Sequence, residues 1–217
     1  MAIVFQNNRY NITIDSKTII GVMGKNYEKF LSSLEGDIVY YLRKEFSVSN
    51  KKVLSILDIN NKNVYELIKD FDFEKLFDKK INELSHSEQT ILKYLLMVSS
   101  NKKVNVIVEP FQDLDTFNKK KIIFLIKEMV KDNKTIIIGT NNSNTVYQLC
   151  KKILLVNSKD YYYGDIDDLI DKKLLKKYDV DMPDIVKFIE LANKKGIKIK
   201  NSYDIRDLIK DVYRNVS

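Results

Sequence analysis

An alternation of short apolar runs with amphipathic stretches in the second half of the chain constrains its fold most strongly. Residues 104–108 and 135–139 are runs rich in β-branched residues, which favour buried strands. Between them, residues 117–131 carry apolar side chains at helical spacing, and a helix at 143–151 precedes a further strand at 153–156. Strands that alternate with helices predict a parallel sheet covered by helices, so the expected fold class is α/β.

The first half of the chain predicts a sheet edge that feeds a loop. Short β-like runs occur at residues 3–5, 10–15 and 18–23, and the last of these is apolar and ends at Gly24. The remaining predicted elements are a short helix at 28–34, strands at 37–42 and 53–58, one or two helices within 64–82, a helix at 88–99 and an edge strand at 161–163.

Composition excludes several classes of protein. With 217 residues and 44% hydrophobic content, the chain can bury the core of one domain plus a small appendage. Its apolar stretches are far shorter than the roughly 20 residues needed to cross a bilayer, and its first residues lack the layout of a signal peptide. A lone Cys150 and a lone His86 exclude an internal disulfide and a Cys/His zinc site. We therefore expect a cytoplasmic chain whose metal, if it uses one, lies on carboxylates or on a nucleotide.

The net charge of +7 is spread over many Lys-Lys pairs rather than gathered in one arm. This pattern is typical of solvated helix faces, whereas a nucleic-acid-binding protein more often has one concentrated basic stripe with interleaved aromatic residues. We expect no nucleic-acid partner. A surface of this sign could also lie against anionic lipid or phosphate.

Residues 84–115 carry the motifs that indicate a function. They are Leu84-Ser85-His86-Ser87-Glu88-Gln89, the apolar run 104–108, Glu109-Pro110 and Asp113-Leu114-Asp115. In order and spacing they resemble the signature, Walker B strand, catalytic glutamate and D-loop of an ATP-binding cassette (ABC) ATPase. The resemblance implies a P-loop NTPase-like core with a mainly parallel sheet, and ATP with Mg²⁺ as ligands.

The resemblance assigns a role to each of these residues. Ser85, His86, Ser87 and Glu88 would present a hydroxyl and helix-start amides to a phosphate of the ATP on a partner chain. Glu109 would direct the attacking water, and Asp115 would belong to the D-loop. Ordinary readings remain open, because Ser85 and Glu88 also form a plausible capping box, and Glu109 and His86 could be solvated surface residues.

The chain departs from the family pattern at the phosphate loop and the metal position. Gly24 and Asn26 are retained, but Lys29 stands at the last glycine and Phe30 at the lysine; with a short deletion, Lys29 could be the lysine itself. Val108 replaces the magnesium aspartate, and it has no oxygen for a hard cation. Asn141 occupies the position of the switch histidine and could hydrogen-bond a phosphate oxygen, but it cannot carry the proton or the charge of a histidine.

Two segments are short or specialised relative to the family. Gly36-Asp37-Ile38 arrives about two turns early, and only about 20 residues separate residues 63–66 from Leu84, which implies a reduced helical subdomain at about 62–84. Asp58 is the residue predicted at the position of the family's glutamine. Residues 181–191, 195–197 and 202–208 resemble the C-terminal helical extension of energy-coupling factor (ECF) ATPases. The predicted domains are an ABC ATPase-like domain at 1–165 and a C-terminal helical extension at 166–217.

The resemblance implies a degenerate ATP-binding subunit of an ABC importer of the ECF type. In that family two cassettes dimerise head to tail, so the partners would be an intact ATPase subunit, as a heterodimer, and a membrane scaffold subunit on the inner face of the cell membrane. Whether the chain hydrolyses ATP stays open. The alternatives are a catalytically inert ABC-fold interaction or regulatory protein and, if the motif order is chance, a basic nucleic-acid-binding α/β domain.

Overall fold

The computed structural model describes residues 2–6, 11–34, 39–42, 50–197, 209, 210 and 213. The Gly36-Asp37-Ile38 motif and the tail motif at 202–208 lie outside the described part. The chain forms two compact units, unit 1 with residues Met1–Thr18 and Ser33–Ile137 and unit 2 with residues Ile19–Ser32 and Ile138–Ser217. Each unit is built from segments that are distant in the sequence.

The described residues form an α/β fold. The strands are β1 (Ala2–Gln6), β2 (Asn11–Asp15), β3 (Ile19–Met23), β4 (Val39–Leu42), β5 (Val104–Val108), β6 (Thr135–Gly139), β7 (Lys152–Val156) and β8 (Tyr161–Asp165). The helices are α1 (Tyr27–Leu31), α2 (Lys62–Asp70), α3 (His86–Ser99), α4 (Thr116–Lys131), α5 (Ser143–Leu149), α6 (Lys172–Tyr178) and α7 (Asp184–Lys194). No described helix is long and apolar enough to cross a bilayer.

Unit 1 contains an antiparallel hairpin and a parallel sheet segment. Strand β1 pairs with β2 in antiparallel register, and β4 pairs with β5 in parallel register, followed by the first residues of β6. All five residues of β5 are buried, as a strand covered on both faces requires. Helices α3 and α4 complete this core with Leu92 and Leu95 and with Ile122 and Ile126.

Unit 2 contains the strands that lead to the phosphate-loop positions. The last residues of β6 are followed in the sheet by β3, β7 and β8; β3 and β7 are parallel, and β7 and β8 are antiparallel. Helix α1 packs closely on β6, because a Cβ added at Gly139 would lie 2.1 Å from Leu31 Cδ1. Helix α7 is joined to α5 by two hydrogen bonds, from Asn144 Nδ2 to Asp184 Oδ2 (2.8 Å) and from the Asp184 amide to Asn144 Oδ1 (2.7 Å).

Most of the predicted elements are confirmed. The strands at 104–108 and 135–139 have the predicted bounds, the helix at 117–131 begins one residue early, and β8 forms the predicted edge strand beside β7. The mainly parallel sheet confirms the α/β class.

The predicted strand at 53–58 is wrong. Residues Val53–Ile56 form a 3-10 helix, in which the amide and hydroxyl of Ser55 both donate to the Lys52 carbonyl, at 3.1 and 2.6 Å. A serine hydroxyl that bonds to nearby backbone competes with strand pairing. The Val53 amide bonds to the Lys79 carbonyl (3.0 Å), so the segment is held by a loop rather than by a sheet.

The predicted helical stretch at 64–82 is confirmed only in its first part. Helix α2 spans Lys62–Asp70, but two 3-10 turns, Phe73–Leu76 and Ile81–Glu83, follow it in place of a second helix. Asp72 has a left-handed backbone (φ +53), which cannot continue an α-helix.

Candidate functional site

The start of α3 is a complete capping box. Ser85 Oγ accepts a hydrogen bond from the Glu88 amide (3.2 Å), and Glu88 Oε2 accepts one from the Ser85 amide (2.7 Å). Ser85 and His86 are exposed, while Ser87 and Glu88 are half-buried. The capping-box reading of these residues is therefore confirmed, and Ser85 remains exposed at the helix start.

The capping interactions keep Glu88 ionised. Partial burial is the largest single influence and opposes ionisation, but the bonds from the Ser85 amide and hydroxyl, together with the Lys79 ammonium, lower the pKa of Glu88 below its usual value. Lys79 Nζ lies 3.7 Å from Glu88 Oε1. The positive end of the helix dipole also stabilises a carboxylate in the first turn. The helix start is therefore held by two reciprocal bonds, and Ser85 and His86 are exposed there.

Glu109 lies directly after β5 in an unusual backbone conformation. Its φ is +49°, and Asp113, four residues later, has a φ of +62°. Left-handed backbone is uncommon for non-glycine residues and concentrates at functional turns. The Gln112 amide bonds to the Glu109 carbonyl (3.2 Å), which closes a turn that presents the half-buried Glu109 side chain at the strand end.

A residue that the sequence analysis did not single out anchors this turn. The Tyr94 hydroxyl on α3 is buried and donates to the Pro110 carbonyl at 2.7 Å. Burial raises the pKa of the Tyr94 hydroxyl, so it remains a donor. In the sequence Tyr94 is indistinguishable from an ordinary core aromatic, because its partner is 16 residues away.

Asp115, the residue predicted for the D-loop, caps the next helix. Asp115 Oδ1 accepts from the Asn118 amide (2.8 Å), and Asp115 Oδ2 accepts from Asn118 Nδ2 (3.0 Å), which makes Asp115 the N-cap of α4.

Burial lowers the pKa of the Lys93 ammonium on α3, and the nearby charge of Asp113 opposes this. Lys93 and Asp113 thus interact electrostatically within unit 1, a pair that the sequence analysis also missed.

The phosphate-loop positions form a tight turn. The Tyr27 amide donates to the Gly24 carbonyl (3.2 Å), and helix α1 begins at Tyr27, where the family's loop would continue. Gly24 has a φ of +111°, and a Cβ there would lie 2.2 Å from the Val156 carbonyl oxygen, so only glycine fits. Asn26 precedes α1 without a side-chain capping bond.

Asn141 closes this turn from the other side. Its Oδ1 accepts a hydrogen bond from the Gly24 amide at 2.9 Å, across 117 residues of sequence. An amide of a phosphate loop is a donor for phosphate oxygen. Here the Gly24 amide is directed at a protein carboxamide, so a phosphate would have to displace Asn141 to use this donor.

Lys29 and Phe30, the two residues that could stand at the position of the phosphate-loop lysine, lie in different surroundings. Lys29 is exposed on α1, and its carbonyl accepts from Ser32 Oγ (3.0 Å). Phe30 is buried in the core of unit 2, at 3% exposure. The structure therefore brings together Gly24 and Asn141 in unit 2, and Ser85 with Glu88 in unit 1.

The residues at the metal positions do not suit Mg²⁺. Val108 is 6% exposed and offers no oxygen ligand, whereas Mg²⁺ requires oxygen donors. Over the described residues, no group of three or more His, Cys, Asp or Glu side chains is arranged to hold a metal ion. Asp58, at the predicted glutamine position, is exposed, and its carbonyl accepts from the Asn61 amide (3.2 Å).

Comparison with solved structures identifies the fold. The structure of the ATP-binding subunit of an ABC transporter aligns with a TM-score of 0.67 at 14% identity, covering 86% of this chain and 94% of that one. The ADP conformation of an ATP-binding cassette of an ABC transporter aligns with a TM-score of 0.62 at 12% identity, covering 79% of this chain and 91% of that one. This chain has the ABC ATPase fold.

Sequence relatives belong to the same group. An uncharacterised ABC transporter ATP-binding protein of Methanocaldococcus jannaschii is 29% identical over 61% of this chain and 54% of that protein. An ECF transporter ATP-binding protein of Fusobacterium nucleatum is 22% identical over 94% of this chain and 73% of that protein. No protein-family profile matches the chain. The chain spans about half the length of the first curated relatives that it matches, including two from Pyrococcus furiosus.

Proposed function

We propose that this chain is a degenerate ATP-binding subunit of an ABC importer of the ECF type. In this proposal it pairs with an intact ATPase subunit, works with a membrane scaffold subunit on the cytoplasmic face of the membrane, and lends its signature to the composite ATP site. The observation that carries the proposal is a contrast between its two half-sites. The start of α3 is fully capped with Ser85 exposed, whereas the Gly24 amide is engaged by Asn141.

The signature half-site has chemistry that suits a phosphate. The partner's phosphate loop would hold the nucleotide, and this chain would add the Ser85 hydroxyl and the first amides of α3, where the helix dipole favours an anion. His86 and Ser87 lie in the first turn of the same helix. These residues would bind and orient the outer phosphate. Positioning and electrostatic stabilisation together supply most of the catalysis in phosphoryl transfer.

The chain's own phosphate site is proposed to be weak. Lys29 on the exposed face of α1, Phe30 in the core and Val108 at the strand end leave it without an evident lysine contact or magnesium ligand. In this proposal, Glu109 is vestigial. The contributions of Asn26, Asp115 and Asn141 to that site are vestigial as well. The heterodimer would then turn over ATP at one composite site, whereas a dimer of two intact cassettes has two such sites.

The test uses substitutions that keep the cap but change the charge. Aspartate is as good an N-cap as serine, so Ser85→Asp should preserve α3 while it repels the γ-phosphate. Asn61→Asp, at the N-cap of α2, is the matched control. This chain would be combined with an intact ABC ATPase subunit from the same organism, the proposed partner, and ATPase rates and complex formation by size-exclusion chromatography would be measured. We expect Ser85→Asp to lower the rate by about tenfold or more, with Asn61→Asp and Glu109→Gln near wild type.

A second candidate function is supported by the Asn141–Gly24 bond. A chain that fills its own phosphate-loop donor is suited to an inert interaction or regulatory protein that keeps the fold and uses neither half-site. Equal rates for wild type and Ser85→Asp in an intact complex would favour this alternative. A large loss from Glu109→Gln alone would contradict both readings, because it requires a competent Walker site in this chain.

A further inference from the structure

The turn that follows β5 has an unfavourable backbone conformation. This strand-end turn, residues 109–115, contains two left-handed residues, Glu109 (φ +49°) and Asp113 (φ +62°). Left-handed backbone is unfavourable for residues other than glycine, and it persists only where the surrounding structure holds it in place. The bond from the Gln112 amide to the Glu109 carbonyl (3.2 Å) lies within the turn itself. Contacts from neighbouring elements must therefore maintain its shape.

Helix α4 holds the end of the strand-end turn. Asp115 is the N-cap of this helix, and its carbonyl accepts a hydrogen bond from the Lys119 amide at 2.9 Å. The Lys119 ammonium also lies 4.7 Å from the centroid of the Phe111 ring. The last residues of the turn are therefore continuous with the first turn of α4.

Two adjacent side chains of α3 hold the beginning and the middle of the same turn. The Tyr94 hydroxyl donates to the Pro110 carbonyl at 2.7 Å, and both residues are buried. The half-buried Lys93 ammonium is attracted by the Asp113 carboxylate. A buried hydrogen bond is electrostatically stronger than an exposed one, because water does not weaken it. Helix α3 is therefore joined to the strand-end turn at two places.

Helix α3 is also the helix whose start is exposed at Ser85. A helix rises 1.5 Å per residue, so Tyr94 lies about 14 Å along the helix from Ser85. The buried Leu92 and Leu95 set the face that α3 turns to the core, but apolar contacts are not directional. A hydrogen bond is directional, so the bond of Tyr94 fixes where α3 lies along its axis relative to the end of β5.

We propose that Tyr94 and Lys93 are positioning residues, which set where Ser85 at the start of α3 lies against the nucleotide of a partner chain. This inference rests on the proposed function and deepens it, because it names side chains that act through Ser85 without contacting the nucleotide. In this arrangement α3 and the strand-end turn move as one body. Loss of the Tyr94 bond would let the helix start shift, and a shift of about 1 Å in a positioned group can cost much of a reaction rate.

Hydrogen exchange in the full chain alone tests the contact itself. Tyr94→Phe removes the hydroxyl and keeps the ring. Tyr178→Phe is the matched control, since Tyr178 is also buried and its hydroxyl bonds to Asp160 Oδ2 (3.4 Å) in unit 2. Amide exchange of the segment 110–116, measured by mass spectrometry, should become about fivefold faster in Tyr94→Phe, because one buried hydrogen bond no longer opposes local opening. It should not change in Tyr178→Phe.

The ATPase assay with the intact partner subunit tests the positioning role. Tyr94→Phe should lower kcat by about five- to tenfold, with a KM for ATP near that of wild type, because in the proposed function the partner's phosphate loop holds the nucleotide. Lys93→Met, which removes the charge but keeps the length of the side chain, should change kcat in the same direction. Lys172→Met is its control, since it breaks an ion pair to Glu190 (2.6 Å) in unit 2, and it should leave kcat unchanged.

A double variant separates positioning from a general loss of structure. If Tyr94 acts through Ser85, the double variant Tyr94→Phe/Ser85→Asp should be no slower than Ser85→Asp alone. Two independent structural effects would instead multiply, as distant and unconnected sites do.

Several outcomes would overturn the inference. These are unchanged exchange of the strand-end turn in Tyr94→Phe, equal kcat losses in Tyr94→Phe and Tyr178→Phe, and multiplied losses in the double variant. A loss of rate in Ser85→Asp but not in Tyr94→Phe would overturn this inference alone and leave the proposed function standing. Equal rates for wild type and Ser85→Asp would overturn the proposed function, and the role of Tyr94 with it. Size-exclusion chromatography of each mixture ensures that equal amounts of complex are compared.

Discussion

At the scale of single residues, Asn141 is the side chain whose role changes most between sequence and structure. By resemblance its position is that of the family's switch histidine, a role that stays a prediction, and an asparagine side chain cannot transfer a proton. Its bond to the Gly24 amide joins residues 117 positions apart. No local pattern carries that information, so it could not be predicted from the residues alone. By contrast, the apolar Val108 and the absence of the later loop glycines can be read directly from the sequence, because each depends only on which residue occupies one position.

The same bond gives a stability prediction. Asn141→Ala removes the acceptor of the Gly24 amide, and an unsatisfied, partly buried donor costs about 1 kcal/mol. We expect the free energy of unfolding to fall by about that amount in urea titrations, with an unchanged m-value. Asn60→Ala, at an exposed asparagine, serves as the control and should change stability by less than about 0.5 kcal/mol. A loss no larger than that of the control would mean that the Asn141–Gly24 bond is not formed in solution.

At the scale of elements, predictability follows the range of the interactions. The strands at 104–108 and 135–139 and the capping box of α3 depend on runs and spacings of a few residues, and they were predicted correctly. The segment at 53–58 was not, because its backbone amides at Val53 and Leu54 bond to the carbonyls of Lys79 and Phe77, which are distant in the sequence.

The capping box of α3 should be visible in the pH dependence of stability. The pKa of Glu88 is lowered in the folded chain, so its carboxylate contributes stability above its unfolded pKa of about 4.3 and loses it as the pH falls through the lower folded value. Glu88→Gln should therefore be less stable than wild type near pH 7, by about 0.5–1 kcal/mol, and the difference should shrink below about pH 4. Thermal unfolding of both proteins from pH 7 to pH 3 measures this. A difference that grows as the pH falls would contradict the direction of the shift.

A control separates the cap from the general effect of charge. Glu74, in the first turn of a 3-10 helix, is exposed and forms no capping box. Glu74→Gln changes the same charge, and its difference from wild type should stay small over the whole pH range. Since Ser85 also contributes to this box, Ser85→Ala should lower stability by a similar amount. This loss is why the ATPase test replaces Ser85 with aspartate, which keeps the cap.

At the scale of the whole molecule, the contrast between the start of α3 and the phosphate-loop positions predicts that only one of the two ATP sites of the proposed heterodimer would be active. Catalysis of phosphoryl transfer depends mainly on positioning and on charge stabilisation by the phosphate loop and the metal. With Val108 at the position of the metal ligand and the Gly24 amide bonded to Asn141, the proposal expects these contributions to be weak in the chain alone. In the proposed function, the start of α3 would instead act on a nucleotide held by another chain, for which its capped first turn is sufficient.

The isolated chain should therefore bind MgATP weakly and hydrolyse it negligibly. Ligand stabilisation follows RT ln(1 + [L]/Kd), so a Kd one hundred times below the MgATP concentration would add about 2.7 kcal/mol. We expect a gain well under about 1 kcal/mol in thermal shift assays at millimolar MgATP, where [L] does not greatly exceed Kd. The intact ATPase subunit is the positive control, and Asn141→Ala tests whether release of the Gly24 amide raises the shift. Turnover by wild type within the usual enzyme range of about 1 s⁻¹ or more, abolished by Glu109→Gln, would contradict the prediction and assign a working Walker site to this chain.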